Sequence, residues 1–319
     1  MNRILIVDGL NLFTRHYAAH PAMSANGDQV GGVVGFYYAI VDKIEKFKPN
    51  KTVIVWEAGG SKKKRDLFSD YKKKSRPQRL NRYYEDDIPD TIQNRNFQLK
   101  LLINILEKLP IKQIYVEDCE ADDVIGYLCN YSLRKDIKLI ISSDHDYYQL
   151  INEKTRIWSP TLKKLVDTNK VLERFQIHPE NFCLAKCVVG DPSDNIKGAP
   201  GVGYKTLVKN FKRFTEQQEY AMDEFFNDVN IKYQEKNLKS FRSILDNKEI
   251  IRRNWRLVLL DMQNLSHEQI VKVNNIMENN EEKSDKMGMM RVLLKNGIQN
   301  LNVERSFLSF KLNKLNFGK

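Results

Sequence analysis

Histidine and cysteine are scarce in this chain, with five and four among 319 residues. Neither shows the paired spacing of a zinc site, and no Ser–His–Asp or Cys–His arrangement points to a nucleophilic side chain. Cys119, Cys129, Cys183 and Cys187 include no C-x-x-C pair. Cys183 and Cys187 lie one helical turn apart in an apolar stretch, the setting of reduced core thiols. Long hydrophobic runs are missing too. None approaches the roughly 20 residues of a membrane-spanning helix. The chain enters a strand-like run at once, so no signal peptide is expected and the cytoplasm is the expected compartment, the host's if the gene belongs to a phage. Internal repeats and low-complexity segments are absent.

Acidic residues are outnumbered, 41 against 52 Lys and Arg, for a net charge of +11 and a pI near 9.3. A polyanionic partner and a Lys-rich solvated surface both fit that balance. At 41% hydrophobic residues the chain has an ordinary soluble composition, and its length suits one large domain and a smaller one.

Four apolar, strand-like runs each end on an acid. Ile4–Asp8 closes on Asp8 and Thr52–Glu57 on Glu57. Gln113–Val116 leads into Glu120, Asp122 and Asp123, and Lys138–Ile141 into Asp144 and Asp146. Between them, Val33–Phe47, Thr91–Glu107 and Asp122–Leu133 carry apolar residues at helical spacing. The alternation predicts an α/β fold with a mostly parallel central sheet flanked by helices. TRIWSP, around Ile157, reads as a further short strand ended by Pro160. Ligands of such sheets bind outside the carboxyl ends of the strands, so these acids are expected to meet.

Taken singly, each acid has a simpler account as a turn or helix cap. Gathered at one edge they do not: two carboxylates about 4 Å apart repel by roughly 4 kcal/mol at an effective dielectric near 20. An all-oxygen ligand set suits Mg²⁺, or Mn²⁺ in its place. Two such ions can clamp the attacking and leaving oxygens of a phosphoryl displacement, which makes phosphodiester hydrolysis the expected chemistry.

From Gly59 to Pro89 the alternation breaks into a basic stretch with Phe68, Tyr71, Tyr83 and Tyr84 interleaved. Its cations include Lys62, Lys63, Lys64, Arg65, Lys72, Lys73, Lys74 and Arg76. Such an insertion is long for a strand-to-helix connection; it suits phosphates and stacked bases better than a merely solvated loop. Further on, Asp191 and Asp194 precede Gly198, Gly201, Gly203 and Lys205 in GDPSDNIKGAPGVGYKTL. The glycines allow a tight turn and close backbone approach, and a helix start with Lys205 suits phosphate. From about Asn181 onward the chain reads as mostly helical.

These motifs resemble the 5′-nuclease (flap endonuclease) superfamily, most closely its phage ribonuclease H branch, which removes lagging-strand primers. The likeness runs from Ile4 to about Phe211 and rests on IVDGLNLFTR, CEADD, ISSDHDYYQL and GDPSDNIKGAPGVG. It implies a PIN-like nuclease core over residues 1–180, with a basic arch at about 60–90. A helical region over 181–319 would hold a helix–three-turn–helix motif at about 190–212 that grips duplex and often K⁺.

It also implies two Mg²⁺ ions. Asp8, Glu57, Glu120 and Asp122 would form mainly the first site, with Asp123 beside them. Asp144 and Asp146 would bridge to a second site completed by Asp191 and Asp194. Arg15 would contact the scissile region. Arg65 fits the arch arginine. The arch lysine is Lys73 by spacing, with Arg76 three residues on, or Lys72 by the Tyr71–Lys72 pair. Glu57 departs from the family's usual Asp, and no N-terminal partner-binding extension is expected.

The reading is a structure-specific 5′ nuclease, an exonuclease or flap endonuclease acting as a monomer in DNA replication. Its substrates would be branched or nicked DNA and RNA–DNA duplex with 5′ ends or flaps. An aspartate-nucleophile phosphatase using Asp8 is one alternative, although Asn11 stands where a D-x-D pattern is wanted. A nucleic-acid-binding scaffold with a weakened site is another. Phe307, Phe310 and Phe317 either anchor a sliding clamp or single-strand-binding protein or pack on the tail's own helices.

Overall fold

In the computed structural model, residues 1–73, 80–84, 90–279 and 284–315 are described, with side chains to residue 311. Arg76 and Phe317 lie outside the described residues. The central sheet has six strands: β1 (Arg3–Asp8), β2 (Lys51–Trp56), β3 (Lys112–Tyr115), β4 (Ile137–Ile141), β5 (Thr155–Ser159) and β6 (Lys164–Val166). They lie in the order β3-β2-β1-β4-β5-β6, parallel except for β6. The antiparallel β6 had no expectation in the sequence, being only three residues long.

Alternate residues of each inner strand feed opposite cores, as the two-residue period of a strand requires. Ile4, Ile6, Val53 and Val55 enter one cluster, with the helices Ala121–Tyr127, Phe182–Val189 and Lys248–Val258. Leu5, Val7, Ile54 and Trp56 enter the other, with Gly9–Ala19, Gly31–Phe47 and Ile92–Leu106. Phe307 and Phe310, on the helix Val303–Leu315, are partly buried against this second cluster, which favours packing over partner anchoring.

β1 has β2 on one side and β4 on the other, so the direction of winding reverses between β1 and β4. That switch point opens a crevice at the carboxyl edge of the sheet. The expected helix Asp122–Leu133 is not continuous: an α-helix spans Ala121–Tyr127 and the turns over Leu128–Ser132 are wider, of π type. Nor is the region after Asn181 wholly helical, since Gly190–Asp191 pairs antiparallel with Ile196–Lys197.

Candidate active site

Asp8 ends β1 at the switch point and caps the helix after it, its Oδ1 accepting from the Asn11 N–H at 3.1 Å. Asp8 is a helix cap rather than the turn residue its Asp-Gly pair also allowed, and the cap leaves Oδ2 free to accept from Ser142 Oγ at 3.1 Å and Tyr147 OH at 3.2 Å. Tyr147 also donates to Asp122 Oδ1. Burial pushes the Asp8 carboxyl up to about 6, with the Asp144 charge adding to the effect. Asp122 is pushed well above the carboxylate range by burial, and Glu57 and Asp194 are raised by burial as well. For each of these three, burial outweighs the nearby charge of Lys72.

At Glu120 the balance is the reverse. Its Oε2 accepts from Lys64 Nζ at 2.8 Å and Tyr71 OH at 2.9 Å, and its Oε1 from Lys72 Nζ at 2.8 Å. Burial alone would raise it, but Lys64 and Lys72 hold it at about 2. Lys64 also meets Asp123 Oδ1 at 2.9 Å, an atom that accepts from Asn264 Nδ2 at 2.8 Å. Asp123 thus points to a lysine and an amide rather than to the other acids. Glu57 Oε2 accepts from the Ala121 N–H at 2.9 Å.

The other acids form two triads. Carboxylate oxygens of Asp122, Asp144 and Asp146 lie within 4.8 Å of one another, and so do those of Asp146, Asp191 and Asp194. Asp146 belongs to both. Burial disfavours the anions of Asp122 and Asp194, and these oxygen-only sets fit hard divalent cations. Lys186, on the helix Phe182–Val189, meets Asp146 and lies 2.7 Å from Asp191 Oδ2. Against the raising effect of burial, Lys186 keeps Asp191 below its ordinary value.

The basic residues separate by position. A cleft of about 610 Å³ is bounded by Asp8, Glu57, Glu120 and Asp122 on one side and by Arg65, Tyr71, Lys72 and Lys73 on the other. Lys72 contacts Glu120, whereas Lys73 is exposed and pairs with Asp70 at 3.1 Å. Arg65 Nη1 donates to Gly59 O at 2.9 Å, and Arg15 Nη1 to Thr161 Oγ1 at 2.9 Å. The insertion is tied down at both ends. Lys72 N–H donates to Asp194 O at 3.0 Å and Asn195 Nδ2 to Asp70 O at 2.9 Å. At the other end, Arg82 donates to Tyr17 O and pairs with Asp90 at 2.6 Å.

The glycine-rich segment follows the second triad directly. A Cβ on Gly198 would lie 2.3 Å from Val188 O, so this glycine serves close backbone approach, and Gly201 has φ +75°. Gly203 caps the helix Tyr204–Asn210 at φ −121°, with open space around it. Lys205 on that helix is exposed.

Two cations were missed in the sequence. Lys64 read as one member of a phosphate-tracking basic run, yet it is 3% exposed beneath Glu120. Lys186 had a usable signal: it is the lone charge in the helix FCLAKCVV.

Comparison with known proteins agrees with this geometry. Residues 3–176 match the family of the 5′-3′ exonuclease, N-terminal resolvase-like domain. A 5′-3′ exonuclease of Buchnera aphidicola is 30% identical over 218 residues, covering 67% of this chain and 71% of that protein. One from Aquifex aeolicus is 29% identical over 216 residues, covering 67% and 70%. DNA polymerase I of Bacillus subtilis is 28% identical over 249 residues, 75% of this chain and 26% of the polymerase. Among solved structures, T5 5′-exonuclease with zinc bound shares the fold at TM-score 0.67 and 19% identity, covering 88% of this chain and 100% of that one. The catalytic core of Rad2 with DNA follows at 0.51 and 14%, covering 98% and 91%. With acids gathered at the edge of a matching sheet and a family model spanning more than half its length, the chain belongs to the 5′-3′ exonuclease family.

Proposed function

We propose that this 5′-3′ exonuclease-family chain is a Mg²⁺-dependent, structure-specific 5′ nuclease that cuts phosphodiesters in branched or nicked DNA and in RNA-primed duplex. The observation that carries the reading is Asp146, common to two carboxylate triads whose oxygens lie within 4.8 Å. Asp122, Asp144 and Asp146 would hold one ion, with Asp8, Glu57 and Glu120 close by. Asp146, Asp191 and Asp194 would hold the other. Mn²⁺ would serve in place of Mg²⁺. When bound, such ions supply Lewis-acid charge to a phosphate and acidify water.

The chain's own groups do the rest. Tyr147 and Ser142 fix Asp8, and Tyr71, Lys64 and Lys72 fix Glu120. Lys72 and Arg65, at the cleft wall, would offset charge on the phosphate as it turns pentavalent. Arg15 would hold the strand next to the cut. The segment with Gly198, Gly201, Gly203 and Lys205 would grip duplex by backbone N–H groups, with K⁺ as a further ligand.

Cleavage of a 5′-flap substrate with Mg²⁺ against EDTA is the test. Activity should need the metal, and Asp144→Asn with Asp146→Asn should remove at least about 10³-fold, a few kcal/mol of barrier. Full Mg²⁺-dependent cleavage by that double variant would refute the reading.

A further inference from the structure

A groove of about 920 Å³ lies across the helix Gly9–Ala19 from the catalytic cleft and joins it at Asn11 and Thr14. It contains Arg15, Lys43 and Lys163 with the rings of Tyr38 and Trp158. Among the described residues none of these three cations takes part in an ion pair, while the groove's one acid, Asp42, is paired with Arg305 at 2.6 Å. The groove is therefore positive. Lys43 Nζ lies 4.7 Å from the Trp158 ring centroid, so the indole holds one of the groove's ammonium groups, and Lys46 Nζ, outside the groove lining, lies 4.3 Å from the same centroid.

Position decides what would use it. The glycine-rich segment packs into one core through Ile196, Ala199, Val202 and Leu207. The groove is built on the other, through Leu12, Tyr38, Ile141 and Trp158. A strand gripped on the first face and cut at the sheet edge has its 5′ side directed to the second. Cations with aromatic faces are what an unpaired polynucleotide needs, phosphates on one and bases on the other.

We infer that this groove is a binding site for the single-stranded 5′ arm of the substrate, an inference that rests on the 5′-nuclease reading. It assigns Lys43 and Lys163 to arm phosphates and Tyr38 and Trp158 to arm bases.

The test places 5-iodopyrimidines along an eight-nucleotide 5′ arm, in deoxy and ribo forms, bound to the full chain in EDTA. Photocrosslinks should map to peptides carrying Tyr38 or Trp158, and the two arm chemistries will separate DNA from RNA use. In parallel, Lys43→Glu with Lys163→Glu, its fold checked by thermal melting, should weaken binding of the armed substrate about tenfold more than that of an armless nicked duplex. Its salt slope for the armed substrate should fall by about 1.4, as expected for two phosphate contacts on a single strand. Crosslinks confined to other surfaces, or equal loss with and without the arm, would overturn the groove. Failure to cleave any 5′-ended substrate would sink the nuclease reading instead, and the crosslink map is read independently of cleavage.

Discussion

Lys186 Nζ lies 2.7 Å from Asp191 Oδ2, on a helix whose other side chains are apolar and buried. The same ammonium meets Asp146, so one lysine serves two acids of the second triad. It acts there as an internal cation. Replacing it by Met leaves two largely buried carboxylates without compensation. In EDTA, Lys186→Met should lose about 3 kcal/mol of stability. Added Mn²⁺ should recover more of the loss than it adds to the wild type, as denaturant melts with and without the ion will show.

Lys72 and Lys73 are neighbours with different surroundings. Lys72 Nζ sits 2.8 Å from Glu120 and 3.8 Å from Asp194, whereas Lys73 reaches only Asp70 among the described residues. Single-turnover cleavage should fall about 10²-fold or more for Lys72→Ala. Lys73→Ala should cost several-fold at most. The opposite ranking would return the arch lysine to the position favoured by spacing alone.

Lys64 is a stability residue as well as a support for Glu120. Its ammonium spans Glu120 and Asp123, which are 3% and 0% exposed. Lys64→Met strands Asp123 with Asn264 as its remaining partner among the described residues and should cost about 3–5 kcal/mol in urea denaturation. Lys62→Met, exposed on the same helix, is the control and should change stability by under about 0.5 kcal/mol.

His16 gives the pH dependence. Burial, then the charges of Arg15 and His20, lowers its pKa from 6.5 to about 4. Above the higher value the ring is neutral in both folded and unfolded chains. As pH falls through it, the unfolded chain takes a proton that the native ring refuses, so stability is lost between the two values. At pH 5 the His16 share of the change should be a loss of about 2 kcal/mol relative to pH 7, opposed by raised carboxylates such as Asp8. His16→Gln, measured by chemical denaturation at both pH values, should remove that part of the slope; an unchanged slope would place the titration elsewhere.

The strands and their terminal acids were legible because a buried parallel strand writes itself as a short apolar run with the acids at or beyond its carboxyl end: Asp8 is the last residue of β1, Glu57 follows β2 directly, and Asp144 lies just past β4. Of the two lysines under those acids, Lys186 stands out as the lone charge of an apolar helix, but Lys64 does not. In a run of lysines a buried one looks like its exposed neighbours, and only the pairing of Lys64 with Glu120 and Asp123, far apart in the chain, distinguishes it. Asp123 was grouped with the metal acids because the doublet repeats a residue type. The helix turns it about 100° from Asp122, toward Asn264. The break after Tyr127 had no local signal, since the apolar spacing continues through it.

The segment Asp70–Lys72 and the turn leading into the glycine-rich segment are joined by two hydrogen bonds, Lys72 N–H to Asp194 O and Asn195 Nδ2 to Asp70 O. If the proposed duplex grip is right, a load on that turn would be transmitted to the ammonium facing Glu120. Seating of the polymer and placement of this cation would then be a single mechanical event, and a poorly seated polymer would leave the reactive centre misaligned.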